Sequence, residues 1–290
     1  MENRTRNELE PNLRDQVLTR LGFSRAPEAN LDGLRTLYDA WCHRVPFDNV
    51  RKLIHIARGN VGPLPGSTAE DFFSAWLQHG AGGTCWSGAG AICALLNSLG
   101  FPARRGIATM LVAPNLPPNH GTVVVEWDSQ KHLVDSSILH GEPLLLTQTE
   151  TEISHPSWGV RCTRREERWH IWWRPLHQVD GFECRVEHFD ATHAEHQDRY
   201  DQTRGWSPFN YEVTARRNIA ANVVGVSFGH AVSLLADGTV ERHPVSPAER
   251  RQILVDKIGI SEELIDQLPD DIPTPPPPGS NTARALGLGS

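Results

Sequence analysis

Gly82-Gly83-Thr84-Cys85-Trp86-Ser87-Gly88-Ala89-Gly90-Ala91-Ile92-Cys93-Ala94-Leu95-Leu96-Asn97-Ser98-Leu99-Gly100 is the stretch on which the fold turns. Ala89, Ile92, Cys93, Leu96 and Leu99 recur at helical spacing, and Gly100-Phe101-Pro102 ends the run. A Gly-Gly turn therefore opens a helix, and Cys85 stands at its first turn. The unpaired N–H groups and partial positive charge of a helix N-terminus stabilise a thiolate and lower a thiol pKa there. The glycines leave room for a substrate carbonyl, and nearby amides could hold an oxyanion. Cys85 is thus a candidate nucleophile. On local sequence alone, a small buried thiol at a helix start fits equally well.

Working back from this helix, three more precede it. Leu13, Val17, Leu18 and Leu21 form one stripe, closed by Gly22. Leu31, Leu34, Leu37, Tyr38 and Trp41 form the next, with Asn30 as N-cap. Ser67-Thr68-Ala69-Glu70 has the form of a capping box and predicts a helix to about Gln78. Working forward, the period changes to two. Strands are expected at Thr122–Trp127 and His132–Asp135 around an Asp128-Ser129-Gln130 turn. Further strands are expected at Trp169–Trp173, Glu183–Phe189, Tyr211–Ala215, Val223–Leu235 and Thr239–His243, with Asp237-Gly238 as a hairpin turn. Helices then run from Ser246-Pro247 to about Ile258 and from Ser261 to Leu268.

Helices first, then strands, then terminal helices describe an α+β protein. The expected parts are a helical domain over 1–105, a β-barrel domain over 106–220, a C-terminal hairpin and helical lid over 221–268, and a disordered Pro-rich tail over 269–290. No glycine-rich phosphate loop of the nucleotide-binding kinds is present, so nicotinamide and ATP chemistry lack support.

The chain has 290 residues, 39% of them hydrophobic, enough for a sizeable core. Lys and Arg number 28 against 35 Asp and Glu, a formal charge of −7, which disfavours nucleic-acid binding. No apolar run reaches the ~20 residues of a membrane span, and the first residues lack a signal-peptide core and lead into a polar helix. A cytoplasmic protein without nucleic-acid or membrane partners is expected. Cys42, Cys85, Cys93, Cys162 and Cys184 are odd in number and contain no C-x-x-C pair, which disfavours a disulfide framework or a cysteine zinc site.

A nucleophilic cysteine needs a base, and the base an orienting group. His120 heads one expected strand and Asp135 closes its neighbour. Their register is out of step. A turn centred near Ser129 sets His120 against position 138, a mismatch of ~10 Å at 3.4 Å per residue. A bulge or an offset turn is needed to bring them together.

Gly82-Gly83-Thr84-Cys85, His120 and Leu133-Val134-Asp135 together resemble the arylamine N-acetyltransferase family, with its R-G-G-x-C nucleophile motif, its histidine heading a strand and its aspartate ending a L-V-D-V-G-F-G segment. Val45-Pro46-Phe47-Asp48-Asn49 is similar to the family's V-P-F-E-N, and Leu95 to Phe101 to the stretch after the nucleophile helix. The resemblance implies a helical bundle, a β-barrel and an α/β lid around a papain- or transglutaminase-like Cys-His-Asp core. It implies that Cys85 accepts an acyl group from a thioester, that His120 holds the thiolate and deprotonates the acceptor, and that Asp135 orients His120. Phe47, Trp86 and Gly83 are the implied substrate-binding residues. No permanently bound cofactor and no metal is implied; acyl-CoA or an acyl-pantetheine thioester is the co-substrate, and an acyl or peptidyl carrier protein is a candidate partner.

The sequence also departs from the family. Ala81 replaces the arginine, Ser87 and Ala89 replace the glutamate and asparagine after the cysteine, and Ser136-Ser137-Ile138-Leu139 replaces the glycine-bearing segment. These changes fit a specialised biosynthetic member taking a larger thioester. An amide synthase that releases polyketide or peptide chains, a cyclase or hydrolase with the same triad, and a non-catalytic binding module are the alternatives.

Other candidates are weaker. His188, His193 and His196, near Glu187 and Asp190, have a spacing that could hold a metal, but a solvated polar loop through Asp201 is expected. Arg164-Arg165-Glu166-Glu167-Arg168 reads as a solvated face, Trp169, Trp172 and Trp173 as barrel packing, and the other four cysteines as structural.

Overall fold

The computed structural model describes residues 8–112, 117–276, 283 and 286–287. The start of the N-terminal segment and the end of the Pro-rich tail lie outside these residues. The helices α1 (Pro11–Arg20), α2 (Leu31–Arg44), α4 (Ala69–His79) and α5 (Cys85–Ser98) form where the apolar stripes place them. The Asn30 side chain accepts the Gly33 N–H at 2.8 Å, capping α2. On α4 the cap is Thr68, whose Oγ1 accepts from the Asp71 N–H, one residue later than the Ser67–Glu70 box suggests. Gly80 closes α4 with φ 71°, a left-handed conformation natural to glycine.

Between α2 and α4 lie two elements that the periodicity did not announce, the two-residue strand β1 (Phe47–Asp48) and α3 (Val50–Ala57). β1 is too short to show a period; α3 carries one, Val50, Leu53, Ile54 and Ala57 at i, i+3, i+4 and i+7, but over only two turns. The central helix α5 is buried continuously from Cys85 to Ala89 and from Ala91 to Leu96. It packs against α4 on one side and against strands β2 (Ala103–Met110) and β3 (His120–Trp127) on the other.

Those two strands belong to an antiparallel eight-stranded sheet. With β4 (Gln130–Val134), β5 (Leu144–Leu146), β6 (Thr151–Ile153), β7 (Val160–Arg165), β8 (Arg168–Trp173) and β9 (Phe182–His188), its order is β5-β4-β3-β2-β9-β8-β7-β6. Its edge strands β5 and β6 come together, and Thr151 Oγ1 donates to the Leu145 carbonyl at 2.7 Å, so the sheet nearly closes into a barrel. Ala108, Val124, Leu133, Ile171, Cys184 and Val186 fill its interior.

After β9 comes a correction. The polar segment read as a loop is a helix, α6 (His193–Gln202), capped by Thr192. It buries only His196 and Tyr200, four residues apart on one face, which is too sparse a stripe to read as a helix. A second sheet follows, β1-β10-β11-β12-β13, from β10 (Thr214–Ile219), β11 (Asn222–Ser227), β12 (His230–Leu234) and β13 (Val240–Pro244). The single strand expected over Val223–Leu235 is two strands, because Phe228 and Gly229 turn the chain with φ 46° and 76°. The strand expected at Tyr211–Ala215 starts later, at Thr214.

The chain then forms α7 (Pro247–Gln252), a π-helical turn over Ile253–Ile258 and α8 (Glu262–Ile265), which cover this sheet through Leu254, Ile258, Leu264 and Ile265. Residues 269–276, read from the sequence as the start of a disordered tail, are tied to the body. Asp271 pairs with Arg250 and accepts the Val213 N–H, and the Ile272 N–H donates to the Tyr211 carbonyl.

Candidate active site

The turn before α5 is held from below by β1. Asp48 Oδ2 accepts the Gly82 N–H at 2.6 Å, its Oδ1 accepts the Val50 N–H at 3.1 Å, and its own N–H donates to the Gly83 carbonyl. A Cβ at position 82 would stand 1.9 Å from the Pro46 carbonyl oxygen, so only glycine fits. Burial pushes the Asp48 carboxyl up to about 6, against the stabilising amides of Gly82 and Val50. The next residue, Asn49, joins β1 to β10. Its Oδ1 accepts the Thr214 N–H, and its Nδ2 donates to the Phe209 and Glu212 carbonyls. This is the physical content of the Phe47-Asp48-Asn49 segment.

Cys85 is the first residue of α5 and is 6% exposed. No side chain caps the N-terminus of this helix, so its first amides remain free to serve an anion. Across the barrel wall stands His120, the first residue of β3. His120 Nε2 and Asp135 Oδ2 are 2.7 Å apart, and the Cys85 side chain is the ring's other hydrogen-bond partner. The structure thus brings Cys85, His120 and Asp135 together in that order.

The environment sets the charges. Burial would lower the His120 pKa, but the Asp135 charge outweighs it, and Cys85 adds to the effect, so the imidazolium is held up to about 10. Asp135, also buried, is held well below the usual carboxylate range by the charge and hydrogen bond of His120. Its second oxygen, Oδ1, accepts the Ser137 and Ile138 N–H groups, each at 2.9 Å. Tyr38 of α2 completes the mount. Its hydroxyl donates to the Asp135 carbonyl at 2.8 Å and accepts the Asp135 N–H at 3.1 Å. Tyr38 was visible in the sequence only as one member of an apolar stripe.

Among the other residues read from the sequence, Phe47 is 6% exposed, and its ring meets Phe209 edge-on at 5.3 Å. Gly83 is half-buried beside the nucleophile. Trp86 packs in the same buried cluster as Cys85. It is 1% exposed, its ring lies against His196, and a Cβ on Gly121 would reach it at 2.9 Å. The histidine cluster is split. His188 pairs with Asp190 and Glu195, whereas His196 is buried against Trp86. Among the described residues, no cluster of His, Cys, Asp or Glu is arranged to hold a metal.

The departures from the family motif are absorbed by packing. Ala81 is buried with Val50, Val213 and Ile260, an apolar place for an arginine to have vacated. Ser136 sits against the first turn of α5, close enough that a Cβ on Gly88 would meet its Oγ at 2.6 Å.

Two buried groups near the site were missed in the sequence. Lys52 of α3 is 3% exposed, donates to Thr203 Oγ1 at 2.9 Å, and has no carboxylate partner among the described residues. Burial lowers its pKa to about 7; Cys85 opposes that shift and Arg204 adds to it. Tyr200 of α6 lies in the same buried cluster as Cys85, and its hydroxyl donates to the Pro65 carbonyl.

The cysteine, histidine and aspartate thus stand together in a fold made of a helical layer, a nearly closed barrel and a second sheet. Residues 30–266 match the family model described as N-acetyltransferase, and the chain belongs to that family, the arylamine N-acetyltransferases. Its fold is similar to that of the arylamine N-acetyltransferase of Mycobacterium marinum (TM-score 0.73, 20% identity, 88% of this chain and 98% of that one). It is likewise similar to the Nocardia farcinica enzyme (0.73, 18%, 88% and 92%) and to that of Salmonella typhimurium (0.72, 18%, 87% and 92%). No curated protein matches the sequence. Membership supports acetyl transfer as the general reaction; at these identities the solved structures speak to the fold alone.

Proposed function

We propose that this protein transfers an acyl group from a thioester, acetyl-CoA in the simplest case, to an amine through an acyl-Cys85 intermediate. The observation that carries this reading is His120, set between Asp135 at 2.7 Å and the thiol at the head of α5. An imidazolium held to about 10 is the counter-charge a thiolate requires. At ~4 Å and an effective dielectric of about 20, such a pair is worth ~4 kcal/mol, against ~1 kcal/mol for a helix terminus. The imidazolium is therefore the larger source of activation, and the helix position assists.

In the first half-reaction the Cys85 thiolate attacks the thioester carbonyl, and the free amides of the first turn of α5 stabilise the oxyanion. The C–S bond to the leaving thiol then breaks, and His120 protonates that sulfur. In the second half-reaction the acceptor amine attacks the Cys85 thioester, His120 takes the amine proton, and the Cys85 thiolate leaves. Asp135 keeps His120 oriented throughout. Phe47 and Gly83 line the approach to the thiol, where a planar acceptor packs against the Phe47 ring.

The test is intact mass after brief exposure to acetyl-CoA and to longer acyl-pantetheine thioesters, with Cys85→Ala as control. An acyl adduct on the wild type alone is expected. The preferred chain then separates acetyl transfer from release of a carrier-bound polyketide or peptide chain, and loss of adduct to water without an amine identifies a hydrolase. Folded protein that takes no acyl group from any donor would be a binding module, and the reading would fall.

A further inference from the structure

Only three lysines, Lys52, Lys131 and Lys257, stand among the 28 basic residues of the chain. Arginine supplies the rest. An arginine keeps its charge whatever surrounds it, whereas a lysine can lose its own on burial. Lys131 is half-buried and Lys257 exposed, but Lys52 is 3% exposed. Its Nζ has one hydrogen-bond partner among the described residues, Thr203 Oγ1 at 2.9 Å. A buried ammonium with a single hydrogen bond and no carboxylate is costly. The Thr203 hydroxyl gives its own hydrogen to the Tyr200 carbonyl, so towards Lys52 it can only accept. The lone pair of a neutral Lys52 amine is therefore not engaged by Thr203.

Three features place this amine beside the nucleophile. The Asp48 carboxylate ties the starts of two helices together, taking the Val50 N–H of α3 and the Gly82 N–H before α5. Lys52 and Cys85 lie in the first turns of those helices. Tyr200 packs with Cys85 in one buried cluster, and Thr203, which holds the Lys52 amine, follows three residues later on the same face, ~5–6 Å away. Of the charged groups that act on Lys52, Cys85 is the one that can be negative, and Arg204 is a cation. Burial lowers the amine to about 7, so about half of it is neutral at pH 7, against less than about a thousandth of an ordinary lysine. A neutral amine is the nucleophile that a thioester acylates.

We propose that Lys52 is an internal acceptor: without an external amine, the acyl group on Cys85 passes to the Lys52 Nζ and stays there as an amide. The inference rests on the acyl-Cys85 reading above and adds a modification site to it. The Nζ lone pair attacks the thioester carbonyl and the C–N bond forms. The C–S bond to Cys85 breaks with its electron pair left on the sulfur, and the amine proton passes to His120, as with an external acceptor. The amide is neutral, so the product no longer carries the costly buried charge.

The test is intact mass and peptide mapping after long incubation of the protein with acetyl-CoA and no amine. Neutral hydroxylamine then cleaves thioesters and spares amides. One hydroxylamine-stable acetyl group is expected on Lys52, exceeding that on Lys131 or Lys257 by more than about tenfold, given the difference in neutral amine. Lys52→Arg should form the labile Cys85 adduct and no stable one. Cys85→Ala should lose the stable adduct, because the acyl group reaches Lys52 through the thiol. A wild-type Cys85 adduct that forms but never becomes stable would overturn the proposal and leave the transfer reading intact, and that outcome needs no variant to fold. Equal labelling of Lys52 in Cys85→Ala would overturn it too, making Lys52 an amine that reacts with the donor directly. Failure of Cys85 to take any acyl group would sink the transfer reading and this inference together.

Discussion

His120 and Asp135 meet at 2.7 Å although the ladder carrying them runs two residues out of step. Val123 pairs with Val134 and Trp127 with Gln130, which sets position 137, not 135, across from His120. The offset is ~7 Å along a strand. It is closed without a bulge. The ladder stops at Val134, and the chain then turns so that Asp135 Oδ1 takes the Ser137 and Ile138 amides while Oδ2 faces back to the imidazole. The geometry of the pair is thus made by the end of a strand rather than by its register.

Removing that carboxylate charge tests the pair. Asp135→Asn should lower kcat by about 10³–10⁴-fold, the scale of losing the orienting carboxylate in a triad, and should slow alkylation of Cys85 near pH 7. Stability carries a separate signature. The raised His120 pKa contributes stability that is full below about 6.5 and is lost as pH rises through about 10. The depressed Asp135 pKa contributes stability present above about 3.9 and lost as pH falls through its lower folded value. Urea midpoints should therefore differ most between wild type and Asp135→Asn from about pH 4 to pH 6.5, with the difference shrinking as pH rises toward 10 and as pH falls below about 4. A difference that does not vary with pH would mean that the pair is not ionised in the folded protein.

Tyr38→Phe should behave as loss of a positioning residue. Its hydroxyl is both acceptor and donor for the main chain of Asp135, so its removal leaves two buried backbone groups unpaired, at a cost of about 1–3 kcal/mol. Turnover should fall by about tenfold through kcat, and the alkaline limb of the pH–rate profile should move because His120 is held less firmly. An unchanged profile with reduced stability alone would make Tyr38 a purely structural residue.

Gly82→Ala is expected to be more damaging than its size suggests. The added carbon would stand 1.9 Å from a backbone oxygen, so β1 or the turn before Cys85 must shift and the Asp48–Gly82 bond must lengthen. A misplacement of about 1 Å can cost about 10²-fold in rate. Full activity in Gly82→Ala would show that the turn is not held as tightly as the Pro46 contact implies.

The sequence made the site legible through features that leave local marks. A glycine turn before an apolar helix located Cys85, and strand patterns with an intervening turn located His120 and Asp135. What it hid was of two kinds. The two-residue β1 has no period to read, and α3 shows its apolar stripe, Val50, Leu53, Ile54 and Ala57, over only two turns. Polar residues that are buried by distant chain, such as Tyr200 on α6, Lys52 on α3 and Arg216 on β10, look like surface residues until the fold places them. Trp86 shows how packing adds to what the sequence says. A large aromatic next to a nucleophile reads as a pocket wall, yet the approach of Gly121 and His196 makes it part of the core.

Lys52 supplies the last prediction, because its charge is costly where it sits. An amine lowered from about 10.5 to about 7 on folding means that the unfolded chain binds one more proton between those values. Wild-type stability should rise with pH across that window by linkage. Methionine has a similar length and no charge, so Lys52→Met should be more stable than wild type at pH 6, by about 1 kcal/mol or ~2–4 °C in Tm. The advantage should shrink as pH approaches 10. Because the Cys85 charge favours the protonated amine, alkylating Cys85 with a neutral reagent should enlarge the gain in Lys52→Met at pH 7. Thermal unfolding of the four species, wild type and Lys52→Met with free and alkylated thiols, across pH 6–10 measures both effects. A stability difference that is flat with pH, or that ignores the state of Cys85, would show that the Lys52 ammonium is neither strained by burial nor sensitive to the nucleophile.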